Sequence, residues 1–185
     1  LNLKKNKNII KRKTFKPLAW VCKSIFLNFK IYNDFTIVDS KLFFDKTEFL
    51  KKGDLLLNGY KLNTLKFKII YIFGNKKNQV KILNPNNDYL AIKVPSNCFS
   101  LIIKSSVKLN PKINSSLEGF YESNGMFCTQ CEPEGFRKIT WFTDRPDNLS
   151  LFKVRIEAKN SFKNLLSNGN LIRIGSTKIN NRRYV

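Results

Sequence analysis

From Trp20 onward, apolar and polar positions alternate with a period of two. Ile25, Leu27, Phe29 and Ile31 are separated by Phe26, Asn28, Lys30 and Tyr32. In an extended chain that spacing puts one set of side chains on one face, so it predicts a half-buried β-strand. Asn33-Asp34 is a turn signal, and Phe35-Thr36-Ile37-Val38 opens the next strand. Asp54–Leu57 reads as a strand ending at the turn Asn58-Gly59; Leu62, Phe67–Phe73 and Val80–Leu83 mark more. Asn84-Pro85-Asn86-Asn87 breaks the chain, and Tyr89–Val94 and Phe99–Ile103 follow as strands. Stretches of helical periodicity are absent. Many short strands with regularly spaced turns predict an all-β fold, an antiparallel β-sandwich or saddle-shaped sheet pair.

A hydrophobic fraction of 42% beside 25% charged residues is globular composition rather than disorder, and 185 residues suffice for a sizeable core. The longest apolar runs, such as Ile69-Ile70-Tyr71-Ile72-Phe73, fall far short of the roughly 20 residues that span a bilayer, so no membrane partner is expected. The basic start has no apolar stretch long enough for a signal peptide, and a cytoplasmic location is the expectation. Residues 1–16 carry seven Lys or Arg and no acid and are expected to be a loose tail; residues 17–185 form the domain.

The net charge of +21 raises a nucleic-acid reading. The charge is mostly Lys scattered through every segment, while Arg, which forks onto phosphates and bases, is scarce. Lys, Asn, Ile and Phe are abundant together, as an A/T-biased genome would produce. The expectation is a solvated basic surface with weak, salt-sensitive, sequence-blind adhesion to nucleic acid and no specific nucleic-acid partner.

The chain contains no histidine, which excludes a Ser-His-Asp triad, a Cys-His pair and a His-ligated zinc within it. Of Cys22, Cys98, Cys128 and Cys131, only the last two are close in sequence. Cys128-x-x-Cys131 lacks the second pair that a zinc ribbon needs, and Glu132-Pro133 follows where a redox motif would start a helix. Two small, half-buried thiols in a loop are the expectation, in a reducing compartment.

The densest information lies in residues 117–170. Leu117-Glu118-Gly119-Phe120-Tyr121, then Cys128-Thr129-Gln130-Cys131-Glu132-Pro133-Glu134-Gly135-Phe136-Arg137, then Trp141-Phe142-Thr143-Asp144-Arg145-Pro146-Asp147, then Leu165-Leu166-Ser167-Asn168-Gly169-Asn170 occur in order. This set resembles the N-terminal β-domain of the aminopeptidase N family of zinc aminopeptidases. The resemblance implies a saddle-shaped β-domain that precedes a thermolysin-like catalytic domain. It also implies that the chain, which starts with Leu and stops at Val185, is a fragment incomplete at its C-terminal end. The family's H-E-x-x-H zinc helix and Gly-Ala-Met-Glu-Asn motif do not occur here, so no catalytic and no metal-ligating residue is assigned to this chain.

What the resemblance implies for the site is one loop that this domain sends into the active site. By residue match it carries Glu132, a carboxylate anchor for the free α-ammonium of a peptide, and Gln130, which lines the pocket for the first side chain. It implies a cis Glu132–Pro133 bond as well. The implied cofactor is zinc in the full-length enzyme, with none bound by this chain. The implied partners are peptides with a free N-terminus and the missing catalytic domain, and the fragment alone is expected to be inactive. The alternative is a non-enzymatic remnant or a basic β-sandwich binding module.

Overall fold

The computed structural model describes residues 12–48, 53–74, 78–178 and 181–185. In chain order the strands are β1 (Trp20–Ile31), β2 (Thr36–Lys46), β3 (Leu55–Asn58), β4 (Asn63–Ile72), β5 (Gln79–Ile82), β6 (Tyr89–Ile92), β7 (Ser100–Leu109), β8 (Gly119–Ser123), β9 (Met126–Gln130), β10 (Leu151–Lys159), β11 (Gly175–Ser176) and β12 (Arg182–Tyr184). Short 3-10 turns at Arg12–Thr14, Pro111–Ile113 and Phe136–Lys138 are the helical elements among the described residues. The all-β expectation holds. No helix among the described residues is long and apolar enough to cross a membrane.

Eight strands form one sheet in the order β11-β12-β10-β1-β2-β7-β4-β5; β3-β6 and β8-β9 are separate pairs. The sheet is mixed rather than purely antiparallel, because β10 runs parallel to β1, with Ser24 opposite Leu151 and Lys30 opposite Glu157. Such a parallel pairing requires a long crossover, and here residues 32–150 lie between the two strands.

The alternation read from the sequence becomes one buried face. Ile25, Leu27, Phe29 and Ile31 of β1 share it with Val38, Leu42 and Phe44 of β2, and with Leu101, Ile103 and Val107 of β7. A bulge keeps the phase: the register passes from Cys22 opposite Phe44 to Ser24 opposite Phe43, leaving Lys23 as the extra residue. Cys22 and Ile25, three positions apart, therefore both face the core.

A second layer covers that face. It consists of Leu55, Leu57 and Ile92 from the β3-β6 pair, Phe120 from β8, and Ile139, Trp141 and Phe142 from the segment after β9. Trp141 packs edge-on against Phe67 at 5.9 Å, and Phe120 packs against Phe29 at 5.7 Å. Asn58 and Phe142 exchange backbone hydrogen bonds at 2.7 and 3.1 Å, which joins the covering segment to β3. At the layer interface the buried hydroxyls of Ser40, Ser105 and Thr140 satisfy one another at 2.7, 3.2 and 3.0 Å.

Of the tail expected over residues 1–16, residues 1–11 lie outside the described residues. Beyond the Arg12–Thr14 turn, Phe15 lies under the Arg145 guanidinium at 5.7 Å, and Arg145 Nη2 donates to the Lys16 carbonyl at 3.1 Å.

Candidate functional site

The site begins with a hairpin. Asn124 and Gly125, both at positive φ (49° and 77°), form a two-residue turn of the type that matches strand twist, which is the usual use of Asn-Gly. The turn pairs β8 with β9 from Ser123 opposite Met126 to Gly119 opposite Gln130. Gln130 is thus the last strand residue, and the chain leaves the sheet at Cys131.

The loop that follows is closed by its backbone. Gly135 N–H donates to the Cys131 carbonyl at 2.7 Å. A Cβ at Gly135 would sit 2.8 Å from both the Cys131 Cα and the Gln130 carbonyl oxygen, so only glycine permits this reversal. The Glu132–Pro133 bond is cis, as the resemblance implied. Gln130 Nε2 donates to the Glu132 carbonyl at 3.1 Å, and both side chains are exposed.

A rigid bracket follows the loop. Asp144, nine-tenths buried, accepts from the backbone N–H of Arg137 at 3.1 Å and from its Nε at 3.0 Å, while Arg137 Nη2 donates to the Asp144 carbonyl at 2.9 Å. Arg137 also pairs with Glu134 at 3.1 Å. Thr143 Oγ1 donates to the Leu56 carbonyl at 2.7 Å. Asn148 donates to the Thr143 carbonyl at 2.9 Å and accepts from Cys22 N–H at 3.0 Å, satisfying the backbone at the β1 bulge. The sequence reading contained Arg137 and Asp144 in its motif but gave them no role. The sequence reading gave Asn148 no role, because its partner at the bulge lies 126 residues away in the chain.

Most acids of the hairpin and loop are paired; Glu122, whose Oε2 is buried without a hydrogen-bond partner among the described residues, and Glu132, which is exposed, are not. Glu134 and Asp144 pair with Arg137, Glu118 pairs with Lys138, and Asp147 takes both arms of Arg145. Glu132 has no hydrogen-bond or ion-pair partner for its carboxylate among the described residues. A cleft of about 240 Å³ beside the loop is lined by Pro133, Glu134, Asp144, Arg145 and Pro146. That is below the roughly 300–1,000 Å³ that encloses a whole small ligand.

The two neighbouring thiols differ from the expectation in one respect: Cys128 lies within β9 rather than in a loop. Both are partly buried and free. Burial, with the nearby Asp144 and Glu132 carboxylates adding to it, pushes the Cys131 thiol up to about 11. A thiol held so high is protonated at neutral pH and is a poor ligand and nucleophile. Among the described residues there is no group of three or more His, Cys, Asp or Glu placed to hold a metal. The donor set among the described residues therefore does not fit a zinc ion.

The architecture is a mixed β-sheet domain whose loop after β9 is closed by its own backbone and carries an exposed, unpaired acid. The chain belongs to the peptidase M1 N-terminal domain family, which matches residues 27–185. It is similar to aminopeptidase N of Caulobacter vibrioides, 36% identical over 162 residues, which cover 88% of this chain and 18% of that protein. The fold matches an aminopeptidase A from Legionella pneumophila in complex with aspartic acid, with TM-score 0.77, 24% identity, and coverage of 93% of this chain and 20% of that one. It also matches an M1 zinc metallopeptidase from Deinococcus radiodurans bound to a Tyr-Ser-Ala substrate, with TM-score 0.61, 13% identity, and coverage of 90% and 38%. The chain thus spans less than a fifth of the curated relative's length.

Proposed function

We propose that this chain is the substrate-recognition domain of a zinc aminopeptidase that releases N-terminal residues from peptides. In this reading Glu132 accepts hydrogen bonds from the free α-ammonium of the substrate, and Gln130 lines the pocket for its first side chain. Selecting a free N-terminus requires a fixed carboxylate, because a charge-assisted N–H···O contact rewards an ammonium and not an internal amide.

The observation that carries the reading is the isolation of Glu132. Around the loop Glu118, Glu134, Asp144 and Asp147 each have a cationic partner, whereas the exposed carboxylate of Glu132 has none among the described residues. Its backbone is held by the Gly135 closure and the Arg137–Asp144 bracket, and its carboxylate is left un-neutralised for a substrate ammonium to meet. In this reading the loop forms one wall of a site whose remainder, including the zinc ligands, belongs to a catalytic domain; the small cleft nearby is lined by Pro133, Glu134, Asp144, Arg145 and Pro146 and not by Gln130 or Glu132. This chain binds the substrate end and supplies no metal ligand and no proton-transfer group. Four free thiols support a reducing, cytoplasmic setting.

Activity measurements test this reading. The chain alone is expected to release no amino acid from aminoacyl p-nitroanilides. A chimera in which it replaces the matched region of the Caulobacter vibrioides relative is expected to release it, and to reject the N-acetylated substrate. Hydrolysis by the chain alone, or a folded chimera without activity, would overturn the assignment.

A further inference from the structure

The outer face of the large sheet, opposite the core, holds a cavity that the peptide-recognition reading does not use. Its volume is about 540 Å³, within the range of a small-ligand site. Four lysines line it: Lys41, Lys66, Lys68 and Lys104. Phe26, Leu65, Ile82 and Leu83 also line it, and Ile82 is 77% exposed.

The strand register makes this placement unusual. Lys68 of β4 stands directly opposite Lys104 of β7, and Lys104 directly opposite Lys41 of β2. Ile82 and Phe26 cap the two ends of that row. Like charges directly opposite each other across strands are destabilising. A neighbouring acid would relieve the repulsion, but the one acid lining the cavity, Asp39, is held by Lys30 at 2.7 Å. None of the four lysines has an ion-pair partner among the described residues.

We infer that this cavity binds an amphipathic anion, an acyl carboxylate whose head group sits among Lys41, Lys68 and Lys104 and whose apolar body lies on Leu65, Ile82 and Leu83. The head group supplies the missing negative charge, and the body covers apolar side chains that otherwise face water. Single-stranded nucleic acid fits less well. It needs a series of open aromatic faces, whereas the far wall is aliphatic and the Lys41 ammonium already sits 4.5 Å over the ring of Phe43.

Calorimetric titration of the chain with dodecanoate below its micelle concentration tests the inference. Saturable one-to-one binding is expected, tightening from hexanoate through dodecanoate, with no binding of dodecyltrimethylammonium. Lys104→Glu is expected to weaken dodecanoate about tenfold or more, roughly one charge-assisted contact. Because that substitution relieves repulsion, its melting temperature is expected to be no lower than that of the parent, which separates lost binding from lost folding. No saturable binding, equal binding of the cationic amphiphile, or unchanged affinity in a folded Lys104→Glu variant would overturn the inference. So would a single-stranded oligonucleotide that displaces dodecanoate and binds the same site more tightly, since the lysines would then serve a phosphate backbone.

Discussion

Arg137 and Asp144 grip each other at three points: backbone N–H and Nε to the Asp144 carboxylate, and Nη2 to its carbonyl, all within 2.9–3.1 Å. Through them the loop that carries Glu132 is tied to the segment that covers the core. Asp144→Ala would leave the Arg137 backbone N–H and Nε without their acceptor, while Nη2 keeps the residue-144 carbonyl and Glu134. The expected loss is about 2–4 kcal/mol, or a melting point lower by roughly 5–15 °C for a chain of this size. Calorimetry of the variant checks it, and an unshifted melt would show that the bracket carries no stability.

Gly135→Ala is expected to open the loop. The new Cβ would meet backbone atoms, which cannot rotate away as a side chain could, at 2.8 Å. The expected cost is about 1–3 kcal/mol. Amide chemical shifts should move for Gln130 to Arg137 and hardly at all in β1, β2 and β7. Shifts spread over the whole sheet, or none in the loop, would contradict this local account.

Stability should fall in alkali with a defined sign. Burial raises the Cys22 thiol from 9.0 to about 11, so between those values the folded chain holds a proton that the unfolded chain has released. Stability is therefore complete below about pH 9 and declines as the pH rises towards 11, by about 2–3 kcal/mol for this group. The Lys30 ammonium, raised by its hydrogen bond to Asp39, acts in the same direction. Urea titrations at pH 8 and pH 10.5 should show the decline, and Cys22→Ala should lessen it without abolishing it, because the Cys131 thiol, also raised to about 11, contributes with the same sign. An unchanged slope in that variant would assign the effect elsewhere.

Cys131 gives a kinetic counterpart. With its thiol raised from 9.0 to about 11, its alkylation by iodoacetamide at neutral pH should run about a hundredfold slower than in the urea-unfolded chain. Mass spectrometry of the modified peptide measures this, and equal rates would show an open, ionised thiol.

Much of the fold can be read from residue order, and the failures have physical causes. The period-two pattern starting at Trp20 located β1, and the bulge at Lys23 shifts its phase so that Cys22 and Ile25 share a face. The strand read to Ile103 continues to Leu109, since Ser105 occupies a core position with its hydroxyl satisfied by Ser40 and Thr140. Polarity there looks like a strand end only when the partners are unseen. Strand β10 joins β1 in parallel from more than a hundred residues away, which no local pattern encodes. At the candidate site, the motif names Gln130 and Glu132. Their exposure, the closing role of Gly135 and the Arg137–Asp144 bracket required the fold.

The central claim is that Glu132 recognises a free N-terminus, and Glu132→Gln in the active chimera tests it most directly. The substitution keeps size and hydrogen-bonding reach while removing the charge. On alanine p-nitroanilide, kcat/KM is expected to fall about 10–100-fold, the worth of a charge-assisted contact of roughly 1.5–3 kcal/mol, with an unchanged melting temperature. A variant that keeps the parent kcat/KM would contradict the account and make Glu132 an ordinary surface acid.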